Sequence, residues 1–447
     1  MLAAMSSASP LPSSSQATVA PRDRGDACPG TLRLHAADDG PLARVRVPGG
    51  VLTVRQAEAL AEAARRLGDG DLHLTSRGNV QLRGLADGCG GALAESLDAA
   101  GLLPSAGHER VRNIVASPLS GLDGRGLRDV RPWLTALDTA LCASAAAPEL
   151  SGRFLFALDD GRGDVAGLDA DVTVRAAEDG GALLSLGTAD EVLSVPAEDA
   201  ARAALTAAET FLTAARESGA RVWRVTELPR RGGLPGLVRD RLTADGIAVG
   251  SRTVPGTAPA GAEGPPPGAV GDALSVHVPL GRLTGLQWRE LTALAATTAG
   301  RELRLTPWRG VVVPVPGLGE ERTGKERAGE ALARLSVTGL VTDPASPWLR
   351  VGACIGRPGC AKSLADVRAD ATTSLTAAGR AGLPLYWSGC ERRCGHPRGE
   401  RIDVVAVPGG GYDLTRTSTS TSTAHEPRTT HMADPGRLAT ALAAITS

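Results

Sequence analysis

The feature that most constrains this chain is a segment that occurs twice. Residues 45–75 and 276–306 align without a gap at an offset of 231, and 12 of the 31 positions are identical. An internal repeat of this kind indicates duplication of one structural unit. The 447 residues are enough for two or three domains. We therefore expect two related halves arranged about a pseudo-two-fold axis.

Each copy carries the same local signals. An alternating apolar run, VRV or VHV, predicts a short strand. A capping box then begins a helix, formed by Thr53 with Gln56 and by Thr284 with Gln287. A glycine-containing turn at Gly68 or Gly300 ends the helix before a second strand. Each copy is a predicted β-α-β unit, and the chain is a predicted α+β protein.

The segments around the two copies divide the chain further. Residues 1–27 are rich in Ser, Ala and Pro and are expected to form a disordered tail, and 251–272 is a predicted linker. We expect a first half-domain, a ligand-binding domain, a second half-domain, and a cysteine-containing domain with a mobile 415–430 segment. Their predicted ranges are 28–95, 96–250, 273–340 and 341–447.

Composition excludes several classes of function. The formal net charge is −1, which gives no indication of a nucleic-acid or membrane-surface partner. The sequence has no continuous apolar run of transmembrane length and no signal-peptide pattern at its start. We expect a cytoplasmic protein, in which cysteines are more often metal ligands or buried thiols than disulfides.

Four of the seven cysteines form two tight pairs, Cys354-x5-Cys360 and Cys390-x3-Cys394. Four thiolates are the usual ligand set of a [4Fe–4S] cluster, and the five-residue spacing lies outside the pattern of structural zinc sites. Flanking glycines let backbone N–H groups approach sulfur. A zinc site and a set of buried core thiols are the alternatives. The remaining cysteines are expected to be inert: Cys28, Cys89 and Cys142.

Arginines and amides recur where predicted strands begin or break. The set comprises Arg77, Asn79, Gln81, Arg83, Arg112, Asn113, Arg153 and Arg309. A buried guanidinium is costly unless an anion pairs with it, and a carboxylate can do so through two hydrogen bonds. The alternative is a set of solvated surface arginines in weak salt bridges. We interpret the set as a binding site for a ligand that carries carboxylates.

These segments together resemble the nitrite/sulfite reductase superfamily. TSRGNVQLRG (75–84) is similar to its Thr-Thr-Arg segment, RNIVASPLSG (112–121) to its Arg-Asn segment, and the cysteine spacing to its cluster signature. Within the superfamily, RDRGDACPG (22–30) and FALDDGRGD (156–164) resemble the precorrin-3B synthase family. The reductases resemble one another at a Lys-Phe-Lys segment, where this chain has Arg153-Phe154-Leu155.

The resemblance implies a duplicated architecture with two ferredoxin-like half-domains and pseudo-two-fold symmetry. It implies that a [4Fe–4S] cluster is held by Cys354, Cys360, Cys390 and Cys394. It also implies a tetrapyrrole site formed by the arginine and amide set. Within that set, the residues implied at the reacting centre are Arg77, Arg112 and Arg153.

The activity implied is a monooxygenation in aerobic cobalamin biosynthesis. Precorrin-3A, O2 and NADH-derived electrons, delivered by a separate reductase, would give precorrin-3B by hydroxylation at C20 with γ-lactone formation. A mononuclear non-haem iron is also implied, with unidentified ligands; candidate residues are His35, Asp38, Asp159, Asp160 and Asp164. The alternatives are a sirohaem-dependent sulfite or nitrite reductase and a non-enzymatic iron–sulfur or zinc module. Leu155 disfavours a reductase, because a proton donor is lost there.

Overall fold

The protein is described here by a computed structural model. The described residues are 26, 28–253, 263–318, 322–397, 399–417 and 429–446. The expected tail lies outside this part except for Asp26, as do residues 254–262 of the expected linker and residues 418–428 of the segment expected to be mobile. Within the described ranges, no helix combines the length and the apolar character needed to cross a bilayer.

The described ranges contain 20 strands and ten α-helices. The strands are β1 Ala43–Val45, β2 Val51–Thr53, β3 Leu72–Leu74, β4 Val80–Leu82, β5 Ile114–Ala116, β6 Phe156–Asp159, β7 Val172–Ala176, β8 Ala182–Leu186, β9 Glu191–Val195, β10 Gly250–Thr253, β11 Gly268–Val270, β12 Ala273–His277, β13 Arg282–Leu283, β14 Glu302–Leu305, β15 Gly310–Pro314, β16 Val351–Ala353, β17 Leu385–Ser388, β18 Arg401–Ala406, β19 Tyr412–Thr417 and β20 Thr429–Met432. The α-helices are α1 Val54–Leu67, α2 Gly90–Ala99, α3 Arg131–Ala143, α4 Ala200–Glu217, α5 Leu234–Ala244, α6 Gly285–Ala296, α7 Arg322–Val337, α8 Val367–Thr373, α9 Leu375–Ala378 and α10 Leu438–Thr446.

The two halves of the repeat exchange a short strand. The first sheet has the order β1-β4-β3-β13 and the second has the order β11-β12-β15-β14-β2. Strand β13 of the second copy therefore pairs with β3 of the first, and its repeat equivalent β2 pairs with β14 of the second. Each half completes the sheet of the other. The half-domains expected at 28–95 and 273–340 are thus intertwined, and they share one hydrophobic core.

Helices α1 and α6 lie in that shared core. The indole Nε1 of Trp288 donates a hydrogen bond to the carbonyl of Ala57 at 2.8 Å. Positions 57 and 288 are repeat equivalents, so a pseudo-two-fold axis passes between these helices. The structure confirms the duplication that the sequence repeat predicts.

Both predicted capping boxes are formed, at Thr53 and at Thr284. Gly68 ends α1 as expected, but α6 ends four residues before Gly300. The predicted end was wrong in the second copy. The hydroxyls of Thr297 and Thr298 donate to the carbonyls of the last helical turn and so end the helix early.

Two further sheets carry the segments that follow the copies. The third has the order β10-β9-β8-β7-β6-β5 and packs against α3, α4 and α5 through a separate core. The fourth has the order β16-β17-β18-β19-β20 and packs against α8 and α10. Strands β5, β6 and β7 are parallel, and so are β16, β17 and β18. The carboxyl ends of neighbouring parallel strands lie at one edge of a sheet, where ligands commonly bind.

Candidate active site

The four paired cysteines follow the carboxyl ends of two neighbouring strands. Cys354 comes directly after β16, and Gly389 and Cys390 come directly after β17. The strands are parallel, with Ala353 opposite Trp387. The Cys354 N–H donates to the Trp387 carbonyl at 2.9 Å, and the Gly389 N–H points to the Cys354 sulfur at 3.3 Å. The fold therefore brings both sequence-distant pairs to one edge of the fourth sheet.

The second cysteine of each pair is held against the same edge. The loop after Cys360 is tied back by a hydrogen bond from the Leu364 N–H to the Gly389 carbonyl. The Tyr386 hydroxyl donates to the Cys394 carbonyl at 2.5 Å. Burial raises the pKa of the Cys394 thiol, and the charges of the other three cysteines raise it further. All four thiols are thus within electrostatic reach of one another.

This donor set fits the cluster that the spacing predicts. The four thiols are unpaired, so none is consumed by a disulfide. An N–H group already points at one sulfur, as is typical of iron–sulfur sites. These cysteines could hold a [4Fe–4S] cluster, which would accept and pass single electrons.

A large cavity adjoins the Cys394 turn. Its volume is about 890 Å³, at the upper end of the range for ligand pockets. Gly395 and Arg392 form the wall nearest the cysteines. The remaining lining residues come from the first half-domain and the third sheet: Asp26, Cys28, Pro29, His35, Leu42, Arg44, Arg46, Thr75, Ser76, Arg77, Asn79, Gln81, Asn113, Arg153 and Trp223.

Five residues of the predicted set line this cavity: Arg77, Asn79, Gln81, Asn113 and Arg153. The two asparagines lock the first half-domain to the third sheet, because the Asn79 amide donates to the Asn113 side-chain oxygen at 2.9 Å. The Asn113 amide in turn donates to the Phe154 carbonyl at 3.0 Å. This chain of hydrogen bonds fixes Arg77 and Arg153 on the same wall.

The cavity carries uncompensated positive charge. Among its described lining residues are five arginines and one acid, Asp26, and none of the five forms a salt bridge with a described residue. Burial lowers the pKa of Arg46 to about 10 and that of Arg77 to about 10, and neighbouring arginines contribute to both shifts. Such a surface favours an anionic ligand, because an anion would offset the cost of burying these cations.

The hydrogen bonds of these arginines point to the same conclusion. The Gly152 carbonyl is approached by Arg46 Nη2 at 3.4 Å, Arg77 Nη1 at 3.5 Å and the Asn113 amide at 3.5 Å. The Cys28 thiol also donates to it, at 3.4 Å. The buried Nη1 of Arg46 has no partner. Several donors therefore share one neutral oxygen, which leaves hydrogen-bonding capacity for carboxylates.

The structure does not bring Arg83, Arg112 and Arg309 to the cavity. The Arg112 guanidinium donates to both carboxylate oxygens of Asp138 at 2.7 Å. Arg83 makes the same kind of pair with Asp39 at 2.8 Å. Both expected anchors are instead structural ion pairs, since a nearby carboxylate already satisfies each guanidinium.

Arg83 and Arg309 contact the cysteine segments instead. Arg83 Nη2 donates to the Gly359 carbonyl at 2.9 Å, directly before Cys360. Arg309 Nη2 donates to the Gly395 carbonyl at 3.4 Å, directly after Cys394. Asp38, considered as a possible iron ligand, accepts a hydrogen bond from the Ala361 N–H. The first half-domain thus supports the loop that carries Cys360.

The other candidate iron ligands separate into two places. His35 is exposed and lines the cavity. Three acidic residues cluster at the end of β6, where Asp159 and Asp160 are buried and Asp164 is half-buried. Four backbone N–H groups donate to Asp159, and Arg162 pairs with Asp160 at 2.7 Å. These contacts explain the cluster as part of the fold.

The sequence interpretation missed several lining residues. Arg44 and Arg46 occupy alternate positions of an extended segment, so both face one side, and this period-two pattern could have identified them. Cys28, expected to be inert, lies with its sulfur 3.6 Å from Arg44 Nη1 and 3.5 Å from Arg46 Nη2. No local signal marks Trp223, whose ring packs against the Arg153 guanidinium at 5.4 Å.

Comparison with known proteins bears on both halves of the repeat. The family model "Nitrite/Sulfite reductase ferredoxin-like half domain" matches residues 35–100 and again residues 268–319. Both copies of the repeat are therefore similar to the ferredoxin-like half-domains of nitrite and sulfite reductases. The α+β architecture with duplicated ferredoxin-like half-domains, expected from the sequence, is confirmed.

Curated relatives match most of the chain. A precorrin-3B synthase of Sinorhizobium sp is 28% identical over 410 residues, covering 89% of this chain and 83% of its own length. A ferredoxin–nitrite reductase of Synechococcus elongatus is 27% identical over 419 residues, covering 82% and 76%. These relatives are oxidoreductases, which supports the prediction that this chain is an enzyme.

A solved structure shares the fold. The NirA protein of Mycobacterium tuberculosis superimposes with a TM-score of 0.67 at 17% identity, covering 90% of this chain and 79% of that one. At this identity the likeness concerns the fold alone.

Proposed function

We propose that this protein is an O2-dependent monooxygenase that converts precorrin-3A to precorrin-3B. The observation that carries the proposal is the cavity beside the four cysteines, lined by five arginines that form no salt bridge with a described residue. Precorrin-3A is a tetrapyrrole with eight carboxylates, so its charge complements this wall. The precorrin-3B synthase relative, similar over most of both chains, supports the same assignment.

The arginines of the cavity would bind and orient the macrocycle. Three arginines lie on one wall of the cavity: Arg44, Arg46 and Arg77. They could donate hydrogen bonds to the carboxylates of neighbouring acetate and propionate arms. Guanidinium–carboxylate pairs fix orientation as well as distance, because two parallel hydrogen bonds define a plane. Arg153 is held against Trp223, so it would meet a substrate group from a fixed position.

The surroundings of Leu155 favour oxygen insertion over anion reduction. In the reductases that this chain resembles, a lysine occupies the position of Leu155 and serves as a proton donor. Leu155 is instead 3% exposed and packs in a small apolar cluster with Val115, Ala157 and Val165. No proton donor could act from that side chain. A six-electron reduction, which consumes many protons, fits this environment poorly.

The cluster on Cys354, Cys360, Cys390 and Cys394 would supply electrons one at a time. Superfamily relatives are sirohaem and [4Fe–4S] proteins, which supports the cluster as the proposed cofactor here. NADH-derived electrons would reach it through a separate reductase. A mononuclear non-haem iron remains part of the proposal without assigned ligands, since the acidic residues near β6 are satisfied by contacts within the protein.

The second candidate is a sirohaem-dependent nitrite or sulfite reductase. It is favoured by the nitrite reductase relatives, whose identity to this chain nearly equals that of the precorrin-3B synthase. It is also compatible with the position of Gly395, which brings the Cys394 turn to the cavity wall. A non-enzymatic iron–sulfur or zinc module would leave the arginine-lined cavity without a purpose.

Anaerobic incubation with trimethylated precorrin, followed by O2 and mass analysis, tests the proposal. We expect a product heavier by one oxygen atom, formed only when reductant and O2 are both present. The absorption spectrum of the purified protein provides the second arm. Strong red bands from a metallated isobacteriochlorin, together with nitrite or sulfite reduction and no oxygenated precorrin, would establish the alternative.

A further inference from the structure

Two arginines donate hydrogen bonds to backbone carbonyls of the cysteine segments, one in each segment. Arg368, on α8, donates from Nε to the carbonyl of Cys354 at 3.3 Å. Arg309, from the turn between β14 and β15, donates from Nη2 to the carbonyl of Gly395 at 3.4 Å. Neither forms a salt bridge with any residue that the structure describes. Two cations that have no salt-bridge partner in the described ranges therefore lie beside the thiol cluster.

The glycines of the two cysteine segments make room for the Tyr386 side chain, and Arg309 lies at contact distance from the same two positions. A methyl group built on Gly352, two residues before Cys354, would lie 3.5 Å from Arg309 Nη1. One built on Gly395 would lie 3.6 Å from Arg309 Nη2. The guanidinium thus occupies a slot between the two segments, with a glycine on each side. This position is next to both cysteine segments.

The backbone at Arg309 adopts a conformation that is unusual for a residue with a side chain. Its φ is +59°, in the left-handed region that side chains other than glycine rarely adopt. The repeat equivalent in the first copy is Gly78, with a φ of +66°. The second copy keeps the turn but places an arginine where glycine suits the backbone better. Strain retained at one residue indicates a functional constraint on that residue.

We propose that Arg309 and Arg368 are resident counter-cations of the cluster and set the reduction potential at which it accepts an electron. Four thiolates outweigh the positive charge of the iron–sulfide core, so the cluster is anionic and becomes more so on reduction. A fixed cation stabilises the reduced form more than the oxidised form and raises the potential. The inference rests on the proposed function only for the presence of the cluster.

Neutral variants of the two arginines in the iron-loaded protein test this inference. We expect Arg309→Gln and Arg368→Gln to shift the midpoint potential to more negative values while iron and sulfide contents stay at the wild-type level. Arg309→Lys and Arg368→Lys keep the charge and should restore most of the shift. Arg350→Gln is the matched control, because among the described residues this arginine of the same domain donates to the Ala381 carbonyl alone, at 3.0 Å.

Redox titration followed by visible bleaching and electron paramagnetic resonance gives the readout. Unchanged potentials in both glutamine variants would overturn the inference. If the glutamine variants do not load iron, the lysine variants decide it: loading at the wild-type potential supports a charge effect, and failure to load overturns it. The titration contains no tetrapyrrole, so its outcome is independent of whether oxygen is inserted into precorrin.

Discussion

Replacing Arg46 with methionine should stabilise the ligand-free protein and weaken its binding of a tetrapyrrole. Burial lowers the pKa of Arg46 from its usual value to about 10, which corresponds to a cost of about 3 kcal/mol for burying its charge. Both values lie above neutral pH, so the cost is present in full at pH 7. Its hydrogen bonds to the Arg110 and Gly152 carbonyls, at 3.2 and 3.4 Å, offset roughly 1 kcal/mol each. Their loss leaves a net gain of about 1 kcal/mol for Arg46→Met without ligand.

The same substitution should weaken tetrapyrrole binding. A hydrogen bond between charged groups is worth about 1.5–3 kcal/mol, which corresponds to a roughly 10- to 150-fold increase in Kd. Calorimetry with a stable uroporphyrinoid carboxylate measures the affinity, and a thermal melt of the ligand-free protein measures stability. Arg46→Lys is the matched control, since it keeps the positive charge and the free-energy cost of burying that charge. A lower melting temperature together with unchanged affinity would refute the cavity assignment.

Three further outcomes test the site and its surroundings. Cys360→Ser should abolish the cluster, and wild-type iron and sulfide contents would contradict the ligand assignment. Arg112→Ala should destabilise the fold by about 3 kcal/mol, because it breaks the buried pair with Asp138; calorimetry of the folded variant should show unchanged tetrapyrrole affinity. Burial raises the pKa of Asp164 to about 7. The folded state therefore binds an extra proton, and stability should fall by a few kcal/mol as the pH rises from 4 to 7. Asp164→Asn, which can still contact Ser117, should remove most of that dependence in melts at pH 5 and pH 8.

Local signals in the sequence correctly predicted those structural features that depend only on residues close together in the chain. The capping boxes at Thr53 and Thr284 are formed because a box needs only residues three positions apart. The cysteine pairs converge because each directly follows a strand. The exchange of β2 and β13 could not be predicted, since both sheets accept a strand with the same apolar pattern. Partner choice there depends on the three-dimensional arrangement of the halves.

The arginine set shows the same limit. Whether a buried arginine binds a ligand or a carboxylate of the protein depends on which acids the fold brings near. Asp39 reaches Arg83 across 44 positions, and Asp138 reaches Arg112 across 26. No spacing rule links such residues. Arg77, which forms no salt bridge with any residue in the described ranges, remains available to a ligand.

The two copies of the repeat present different side chains at the positions that line the cavity in the first copy. Repeat equivalence pairs Arg46 with His277 and Arg77 with Trp308. Burial and the nearby charge of Arg309 lower the pKa of His277 to about 4, so this imidazole is neutral at pH 7. Trp308 packs against the apolar cluster around Leu155. Where the first copy presents two cations to a cavity, the second presents a neutral ring and a packed indole. The second copy keeps its cation one position later, at Arg309, and directs it to the cysteines. The two copies thus share a backbone fold but differ in the direction of their cations. Those of the first copy face the cavity, and Arg309 of the second copy contacts the cysteine segments.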